Sequence, residues 1–487
     1  MRTDLKIPYG VSDFKTIRME GLYYVDKTEY LAKMEERDRF VFFVRPRRFG
    51  KSLFLDMLRL YYDRNEKENF EKLFGGLWIG AHPTPNRNRY LMLKLDFSEV
   101  GKGAEAPLDQ KFDLYLSTVL DLLLAANADL FPAEFVADCK KQPVGAKFDL
   151  IVKSAKAKGV PAYLLIDEYD NFTNELIRSA GNEPYKSITH GTGFYRRWFK
   201  VFKSSFDRIF MTGVSPVTMD DLTSGFNIAA NISQEAAFNS MLGFSEAETL
   251  QIYRDFRGVG EFQSGDPDAI VRDIKPWYDG YCFAKAKVGK ESVFNSDMVL
   301  YHLKSLVAEG MPPENMVDVN ISTDYDKLET IVDLQRQAGA RNLLPTTESI
   351  VENRGICADI YDSFDIDKFC ETKYLLSNLF YYGVITFDRR ERGEYYYRIP
   401  NARSALTFVR LQNGHRGTKH SYIVELKHAA ADASDAELAA QAEEGIAKLR
   451  QYASDPFVPD LAKDTTLHLI LFQFKGFDLY RLEEIPQ

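Results

Sequence analysis

The sequence predicts an α/β protein whose N-terminal part is a doubly wound parallel sheet. Short apolar runs alternate with segments of helical spacing, and each run ends abruptly at polar or glycine residues. Four runs have the aromatic and β-branched content of buried strands: 39–44, 90–97, 162–166 and 208–211. Strands that alternate with helices form a mostly parallel sheet covered on both faces.

Polar segments follow three of these strands. The first strand leads into Arg45-Pro-Arg-Arg-Phe-Gly-Lys-Ser52, after which apolar residues recur at helical spacing. The third strand ends in Asp167-Glu168, and the fourth stops at Thr212-Gly213. A long helix is expected over 108–126, between the second strand and the third.

The pattern changes beyond residue 235. Short helices rich in aromatic residues come first, and a helix followed by a hairpin around 389–393 then predicts a winged-helix-like element. The last part predicts strands and one helix in the order 406–411, 422–426, 436–452 (helical) and 466–474. We therefore expect three domains, at 1–235, 236–401 and 402–487.

The composition excludes several classes of protein. The 487 residues include 71 acidic and 62 basic side chains, a net charge of −9, so any polyanion site must be a local basic patch. Four cysteines without CxxC spacing indicate neither a zinc ribbon nor a disulfide scaffold. The polar N-terminus and the lack of an apolar run of about 18 residues favour a cytoplasmic protein that does not bind membranes.

The Gly50-Lys51-Ser52 sequence, between a strand and a helix, predicts a phosphate site of the Walker A type. Loop amides and the helix N-terminus receive phosphate oxygens there, the lysine neutralises the β- and γ-phosphates, and the hydroxyl binds Mg²⁺. The residues expected to contact the nucleotide are those of the loop and the first helical turn: Arg45, Pro46, Arg47, Arg48, Phe49, Gly50, Lys51, Ser52 and Leu53.

The strand that ends in Asp167-Glu168 supports this interpretation. In a P-loop ATPase the first acid orders the magnesium shell, and the next polarises the attacking water. We therefore predict Ser52 and Asp167 as metal ligands and Glu168 as the catalytic base. Thr212 and Ser215 are candidate sensors of the γ-phosphate, although loop or capping hydroxyls are the alternative.

These and other motifs together resemble those of the bacterial predicted AAA-type ATPases that carry a C-terminal PD-(D/E)XK nuclease-like domain. The remaining motifs are Tyr24-Val-Asp-Lys-Thr28, Leu165-Ile-Asp-Glu-Tyr-Asp170, Thr212-Gly-Val-Ser-Pro216, Ser224-Gly-Phe-Asn227, Trp277-Tyr-Asp-Gly-Tyr281 and Ile399-Pro-Asn401. The resemblance covers nearly the whole chain and implies an ATP-binding P-loop module. It also implies that Arg45, in place of the first Walker glycine, is normal for the family.

The arginines of the loop leave two possibilities open. With Lys51, Arg45, Arg47 and Arg48 place four cations within seven residues. One or two of them could clamp phosphates and offset charge in the transition state. Alternatively, they pair with local carboxylates such as Asp26 or Asp170.

Glu425 and Lys427 are two residues apart in Tyr422-Ile-Val-Glu-Leu-Lys427, so they share one face of a strand. This is the E-x-K half of a PD-(D/E)XK nuclease site, in which an upstream aspartate and the glutamate hold Mg²⁺. A half-exposed strand that pairs its own charges is the alternative.

Three departures from the family pattern indicate a truncated, degenerate nuclease-like domain with weak or no cleavage. Ala405 takes the place of the upstream aspartate, Lys448 takes that of a helical glutamine, and the helical segment before the first strand is missing. Glu443, Glu444 or another acid could instead have moved into the metal site. The domain could still bind DNA, RNA or a protein through basic residues: His415, Arg416, Lys419, His420, Lys427 and His428.

We therefore expect a protein that binds ATP with Mg²⁺, hydrolyses it slowly and uses ATP to control its middle and C-terminal parts. AAA-type modules often complete their sites between subunits, so a homo-oligomer is a candidate state. One alternative is an ATP-gated, metal-dependent DNA nuclease. A further alternative is an interaction module that binds ATP without hydrolysing it.

Overall fold

The structure, a computed structural model, describes most of the chain. The described residues are 5–100, 106–170, 194–216, 229–318, 355–362, 372–401, 404, 420–454, 466–476 and 478–486. The chain divides into two compact units, Met1–Leu242 with Tyr361–Phe369 and Gly243–Ile360 with Cys370–Gln487. The three-domain division stays a prediction.

The first unit contains one five-stranded sheet and the helices that cover it. Its strands are β1 (Phe40–Val44), β2 (Leu91–Asp96), β3 (Ala162–Asp167), β4 (Arg208–Gly213) and β5 (Ala230–Asn231). Its helices are α1 (Phe14–Met19), α2 (Glu29–Glu35), α3 (Lys51–Tyr62), α4 (Phe70–Phe74), α5 (Trp78–Ala81), α6 (Leu108–Ala126), α7 (Ala133–Lys140), α8 (Val144–Ala157) and α9 (Phe194–Ser205).

The strand order in this sheet is β2-β3-β4-β1-β5, and every neighbouring pair is parallel. The predicted parallel sheet is therefore confirmed. All side chains of β1 and of β3 are buried, as expected for strands covered on both faces. Since all strands run in one direction, their carboxyl ends meet at one edge, and β4 separates the end of β1 from that of β3.

The second unit begins with helices and a small antiparallel sheet. Its helices are α10 (Glu246–Phe256), α11 (Pro267–Tyr278), α12 (Ser296–Glu309), α13 (Thr372–Tyr381) and α14 (Asp435–Ala453). Its strands are β6 (Ile356–Cys357), β7 (Thr386–Glu391), β8 (Glu394–Arg398), β9 (His420–Ala429), β10 (Thr466–Lys475) and β11 (Asp478–Ile485).

A helix packs on a hairpin in this unit, as the sequence predicts. Strand β8 lies between β6 and β7, and Phe380 of α13 contacts the rings of Phe387 and Tyr397 at centroid distances of 5.0 and 5.9 Å. These aromatic contacts bury the inner face of the hairpin against the helix.

Two of the sequence motifs contact each other beside this hairpin. The Asn401 side-chain amide donates to the Asp279 carbonyl at 2.7 Å and accepts from the Ser404 amide at 3.0 Å. The Tyr281 and Ser404 hydroxyls are 3.2 Å apart. All of these groups are buried, so the geometry gives both motifs a structural role in the second unit.

The C-terminal strands form a separate sheet in the order β11-β10-β9. Strands β9 and β10 are parallel and β10 and β11 antiparallel, with α14 connecting β9 to β10 in the chain. The predicted strand at 406–411 lies outside the described residues, and β11 was not predicted. None of the described helices is long and apolar enough to cross a bilayer.

Candidate functional site

The loop between β1 and α3 has the backbone geometry of a phosphate-binding turn. Gly50, which directly precedes the first residue of α3, has φ 92°, a conformation that glycine adopts without strain. Arg48 also has a positive φ, 65°. The turn brings the loop and the N-terminus of α3 together, where unpaired backbone N–H groups attract anions.

Lys51 turns its ammonium group back onto this loop. Its Nζ donates to the carbonyls of Arg45 and Pro46, both at 3.0 Å. Burial lowers the pKa of Lys51 to about 8, although the carboxylates of Asp167, Glu168 and Asp170 favour the charged form. A phosphate group would add negative charge beside this ammonium and so stabilise its protonated form.

Ser52 and Asp167 lie next to each other at the edge of the sheet. The Ser52 hydroxyl is close enough to the carboxylate of Asp167 to favour its charged form, whereas burial and the neighbouring Asp96 raise the pKa of that carboxylate. Asp96 and Asp167 are register partners at the ends of β2 and β3.

This oxygen donor set fits Mg²⁺. The ion needs only one or two protein oxygens when phosphates and water complete its shell. Ser52 would hold the ion directly, and Asp167 would bind it or its water. The described residues contain no group of three or more His, Cys, Asp or Glu side chains placed to hold a metal without such help.

Glu168 directly follows this acid in an unusual backbone conformation. Its φ is 47°, which costs free energy in a residue other than glycine and is found preferentially at functional sites. Its amide donates to the Asp167 carboxylate at 3.0 Å. The turn directs the chain away from β3 at the position predicted for the catalytic base.

Asp170 connects the end of β3 to the segment that follows β4. Its buried carboxylate accepts the amides of Val214 and Ser215 at 3.2 and 3.0 Å. The Tyr169 amide donates to the Thr212 carbonyl at 3.2 Å, and its hydroxyl donates to the Ser215 carbonyl. These bonds fix the segment that carries Glu168 against β4.

Thr212, the candidate sensor, is buried in β4. Its hydroxyl donates to the Phe43 carbonyl of β1 at 2.9 Å. In this geometry Thr212 joins the strand before the phosphate loop to the strand beside Asp167. Its sensor role stays a prediction, as does that of Ser215, and Ser224–Asn227 lies outside the described residues.

Arg45 points away from the phosphate loop, contrary to a role for its side chain as a phosphate clamp. Its guanidinium is 1% exposed and donates to the carbonyls of Val44, Ser233 and Phe238 at 3.0, 2.7 and 2.9 Å. It also lies over the Phe43 ring at 4.2 Å.

Arg47 and Arg48 are half-buried in the same loop. Arg47 is close enough to Lys51 to lower the pKa of that lysine. Arg47 and Arg48 are therefore the remaining candidates for arginines that bind the phosphates. Pro46 and Phe49 are buried, which indicates that they shape the loop, and Leu53 is half-buried in the first turn of α3.

Glu425 and Lys427 lie on one face of β9, as predicted, within a cluster of four charges. Lys427 Nζ is 3.5 Å from Glu425 Oε1 and 2.8 Å from Glu444 Oε1. Lys448 Nζ is 3.2 Å from Glu444 Oε1 and 3.9 Å from Glu425 Oε1. Two carboxylates and two ammonium groups therefore balance, and this neutral set does not fit a divalent cation.

The structure describes some of the other basic residues proposed for binding in this region but not all of them. His428 contacts the Gly476 carbonyl through Nε2 at 2.9 Å, and burial lowers its pKa, which favours a neutral ring. His415, Arg416 and Lys419 lie outside the described residues, as does Ala405.

Asp96 and Asp170 were missed as site residues by the sequence analysis. The signal for Asp96 was present, because its strand ends in aspartate as β3 does, and parallel strands bring such ends together. Asp170 had no comparable local signal, since its partners lie more than 40 positions away along the chain.

The chain is similar to one curated protein and to several solved structures. It is 29% identical over 282 residues to an uncharacterised protein in the vnfD 5′ region of Azotobacter chroococcum mcd 1, a match that covers 57% of this chain and 48% of that one. The chain therefore spans about half the length of the curated relative it matches.

The similar solved structures include two archaeal proteins, with low TM-scores. The Aeropyrum pernix ORC2 protein in ADPNP-ADP complexes is 13% identical, with 80% of this chain and 91% of that chain covered and a TM-score of 0.34. Cdc6p of Pyrobaculum aerophilum is 10% identical, with 79% and 92% covered and a TM-score of 0.28.

A family model identifies the part of the chain that holds the phosphate loop. The match spans residues 8–223, and the family is described as predicted AAA-ATPase. This range includes β1 to β4 and every nucleotide-site residue described above. The N-terminal part of this chain thus matches the model of the predicted AAA-ATPase family.

Proposed function

We propose that this protein binds ATP with Mg²⁺ at the carboxyl edge of the parallel sheet and hydrolyses it slowly. The observation that supports this most directly is that Ser52 and the Lys51 ammonium both lie close enough to the Asp167 carboxylate to favour its charged form. Three residues from two separated strand ends thereby meet in the arrangement that P-loop chemistry needs.

Each residue has a distinct role in this proposal. The loop amides and the N-terminus of α3 receive phosphate oxygens, while Lys51 and Arg47 offset their negative charge. Mg²⁺ bound at Ser52 and Asp167 supplies further charge neutralisation on the β- and γ-phosphates. Glu168 polarises the attacking water, and Asp170 holds the segment that carries Glu168 in place.

Paired substitutions test this function. In Lys51→Ala we expect the loss of binding of a labelled ATP analogue, because the buried charge that faces the phosphates is removed. In Glu168→Gln we expect retained binding with turnover reduced by about 10²-fold or more, because a general base is lost while charge and shape are nearly kept.

Lys153→Ala is the matched control, since this exposed lysine of α8 pairs, within the described part of the chain, with Asp149 of the same helix. Normal ATP binding by Lys51→Ala would refute the site. Unchanged hydrolysis by Glu168→Gln would move the base elsewhere. Tight binding by the wild-type protein with no measurable turnover would select the non-hydrolysing interaction module.

We further propose that ATP occupancy controls a nuclease-like C-terminal part that has lost its metal site. The parallel pair β9 and β10 with α14 between them in the chain, and the position of Glu425 and Lys427 on β9, support the nuclease-like assignment. Residues 402–487 remain the proposed extent of this part, with DNA, RNA or a protein as its partner.

A further inference from the structure

The four-charge cluster, formed by Glu425, Lys427, Glu444 and Lys448, contains ion pairs between β9 and α14 as well as one along the helix. Glu444 and Lys448 are one turn apart on α14, which by itself is an ordinary surface ion pair. However, Lys448 also approaches Glu425 on β9, and Lys427 on β9 reaches Glu444 on α14. The charges thus pair across two elements as well as along one.

The helix approaches the strand closely beside Lys427. A Cβ atom on Gly445 would lie 2.7 Å from Leu471 Cδ1 and 3.2 Å from Lys427 Cγ. Because Gly445 has no side chain, the aliphatic part of the Lys427 side chain fits against α14. Lys427 is buried there. This packing holds the Lys427 ammonium between the two carboxylates.

Lys448 occupies the side of Glu425 that faces α14. Its Nζ lies 3.2 Å from one carboxylate and 3.9 Å from the other. A magnesium ion shared by these carboxylates would need oxygen distances of about 2.1 Å. The ammonium group thus places one positive charge beside both carboxylates, where such an ion would bring two.

The neighbouring sequence offers no replacement acid. Residues 402–419, which connect Asn401 to β9, contain no aspartate or glutamate, and Ala405 takes the place of the usual aspartate. Glu443, the remaining acid considered in the sequence, belongs to no group of three or more acidic or histidine side chains placed for metal among the described residues.

We propose that the Lys448 ammonium stands in for a divalent cation, which makes the cluster of Glu425, Lys427, Glu444 and Lys448 independent of metal. This inference rests on the proposed nuclease-like assignment of the C-terminal part and gives its physical basis. The two ammonium groups neutralise the two carboxylates without a metal ion. It has no net negative charge with which to attract a metal ion.

Titration with Mn²⁺, followed by electron paramagnetic resonance of the free ion and without nucleotide, tests this proposal. The wild-type chain is expected to bind no Mn²⁺ through Glu425. In Lys448→Glu the cluster has three carboxylates and one ammonium group, and we expect a gain of about tenfold or more in Mn²⁺ affinity. Lys448→Gln removes one charge only and should give a smaller gain.

The double variant Lys448→Glu with Glu425→Gln is the matched control, and it should lose most of the gain. Stoichiometric Mn²⁺ binding by the wild-type chain that Glu425→Gln removes would overturn the proposal. A folded Lys448→Glu variant without any gain would also overturn it. So would Mg²⁺-dependent nicking of plasmid DNA that Lys427→Ala abolishes.

The same preparations separate this inference from the proposed ATPase function. ATP binding by Lys448→Glu should equal that of the wild-type chain, because the cluster and the phosphate loop belong to different units. Failure of ATP binding in all variants and in the wild type would refute the ATPase proposal alone. The Mn²⁺ titration would still show whether the cluster binds a metal ion.

Discussion

Arg45 shows how one residue of the proposed phosphate loop serves the fold. Its side chain is the largest of the fully buried ones and donates to three backbone carbonyls. A buried guanidinium without such acceptors would be costly, so these carbonyls and Arg45 depend on each other. The residue anchors the end of β1, from which the phosphate loop starts.

Arg45→Ala is therefore expected to lower stability more than it lowers ATP affinity. The three carbonyls would lose a buried donor, at a cost of about 2–4 kcal/mol. Chemical unfolding of the purified chain, with and without ATP, measures both effects. Arg47→Ala is the comparison, and we expect it to weaken ATP binding while leaving the free energy of unfolding nearly unchanged.

The reverse result would restore the original hypothesis for Arg45. A variant that unfolds like the wild-type chain but no longer binds ATP would mean that its guanidinium reaches the phosphates. The structure predicts the opposite, because the three groups that accept hydrogen bonds from the Arg45 guanidinium are backbone carbonyls of the protein and not phosphates. The sequence could not distinguish these cases, since both place a cation at the same position.

At the scale of elements, strand order decides which polar segments can act together. Strand β4 lies between β1 and β3, so Thr212 and the segment after it stand between the phosphate loop and Glu168. The hydroxyl of Thr212 bonds to β1, and the residues after β4 bond to Asp170. The ends of β1, β3 and β4 are thus connected by direct hydrogen bonds.

The close approach of α14 to the C-terminal sheet gives a second prediction at this scale. In Gly445→Ala the new methyl group would press on Leu471 and Lys427, and we expect a loss of about 1–3 kcal/mol. Gly145→Ala, in α8, is the matched control, because a Cβ there meets nothing within 4 Å. That helix should gain about 0.5–1 kcal/mol.

Thermal unfolding of the two variants beside the wild-type chain provides the measurement. The melting temperature should fall for Gly445→Ala and should stay equal or rise for Gly145→Ala. Equal behaviour of both variants would show that α14 can move away from the sheet at little cost. In that case Lys427 would not be held by packing.

The whole molecule has two compact units, and the proposed function needs communication between them. ATP binds only the folded first unit in this proposal, and so it stabilises that unit by mass action. Control of the second unit requires in addition that ATP change its conformational equilibrium. Without such a change, ATP binding to the first unit would have no effect on the second unit.

Hydrogen exchange with and without Mg²⁺ and ATP tests this communication. We expect slower exchange at 45–53 and 162–170, because nucleotide contacts suppress local opening there. Coupling predicts that exchange at 372–401 or 420–454 also changes. Lys51→Ala should show neither effect, and a change confined to the first unit in the wild-type chain would contradict coupling.

The sequence by itself determined four strands of the first unit, the helix that follows the loop and the helix over 108–126. Apolar runs predicted β1 to β4 because buried parallel strands need continuous apolar residues. A single tripeptide marked the start of the helix that is proposed to receive phosphate. The same local signals placed Glu425 and Lys427 on one strand face. All of these features depend on residues close together in the chain.

The tertiary structure decided what depends on distant partners. It turned Arg45 towards the carbonyls of residues 233 and 238, set Asp96 beside Asp167, and used Asp170 to hold the segment after β4. It also brought Lys448 to Glu425 across two elements. Charge and hydrogen-bonding capacity can be counted in a sequence, but the choice of partner depends on how strands and helices pack.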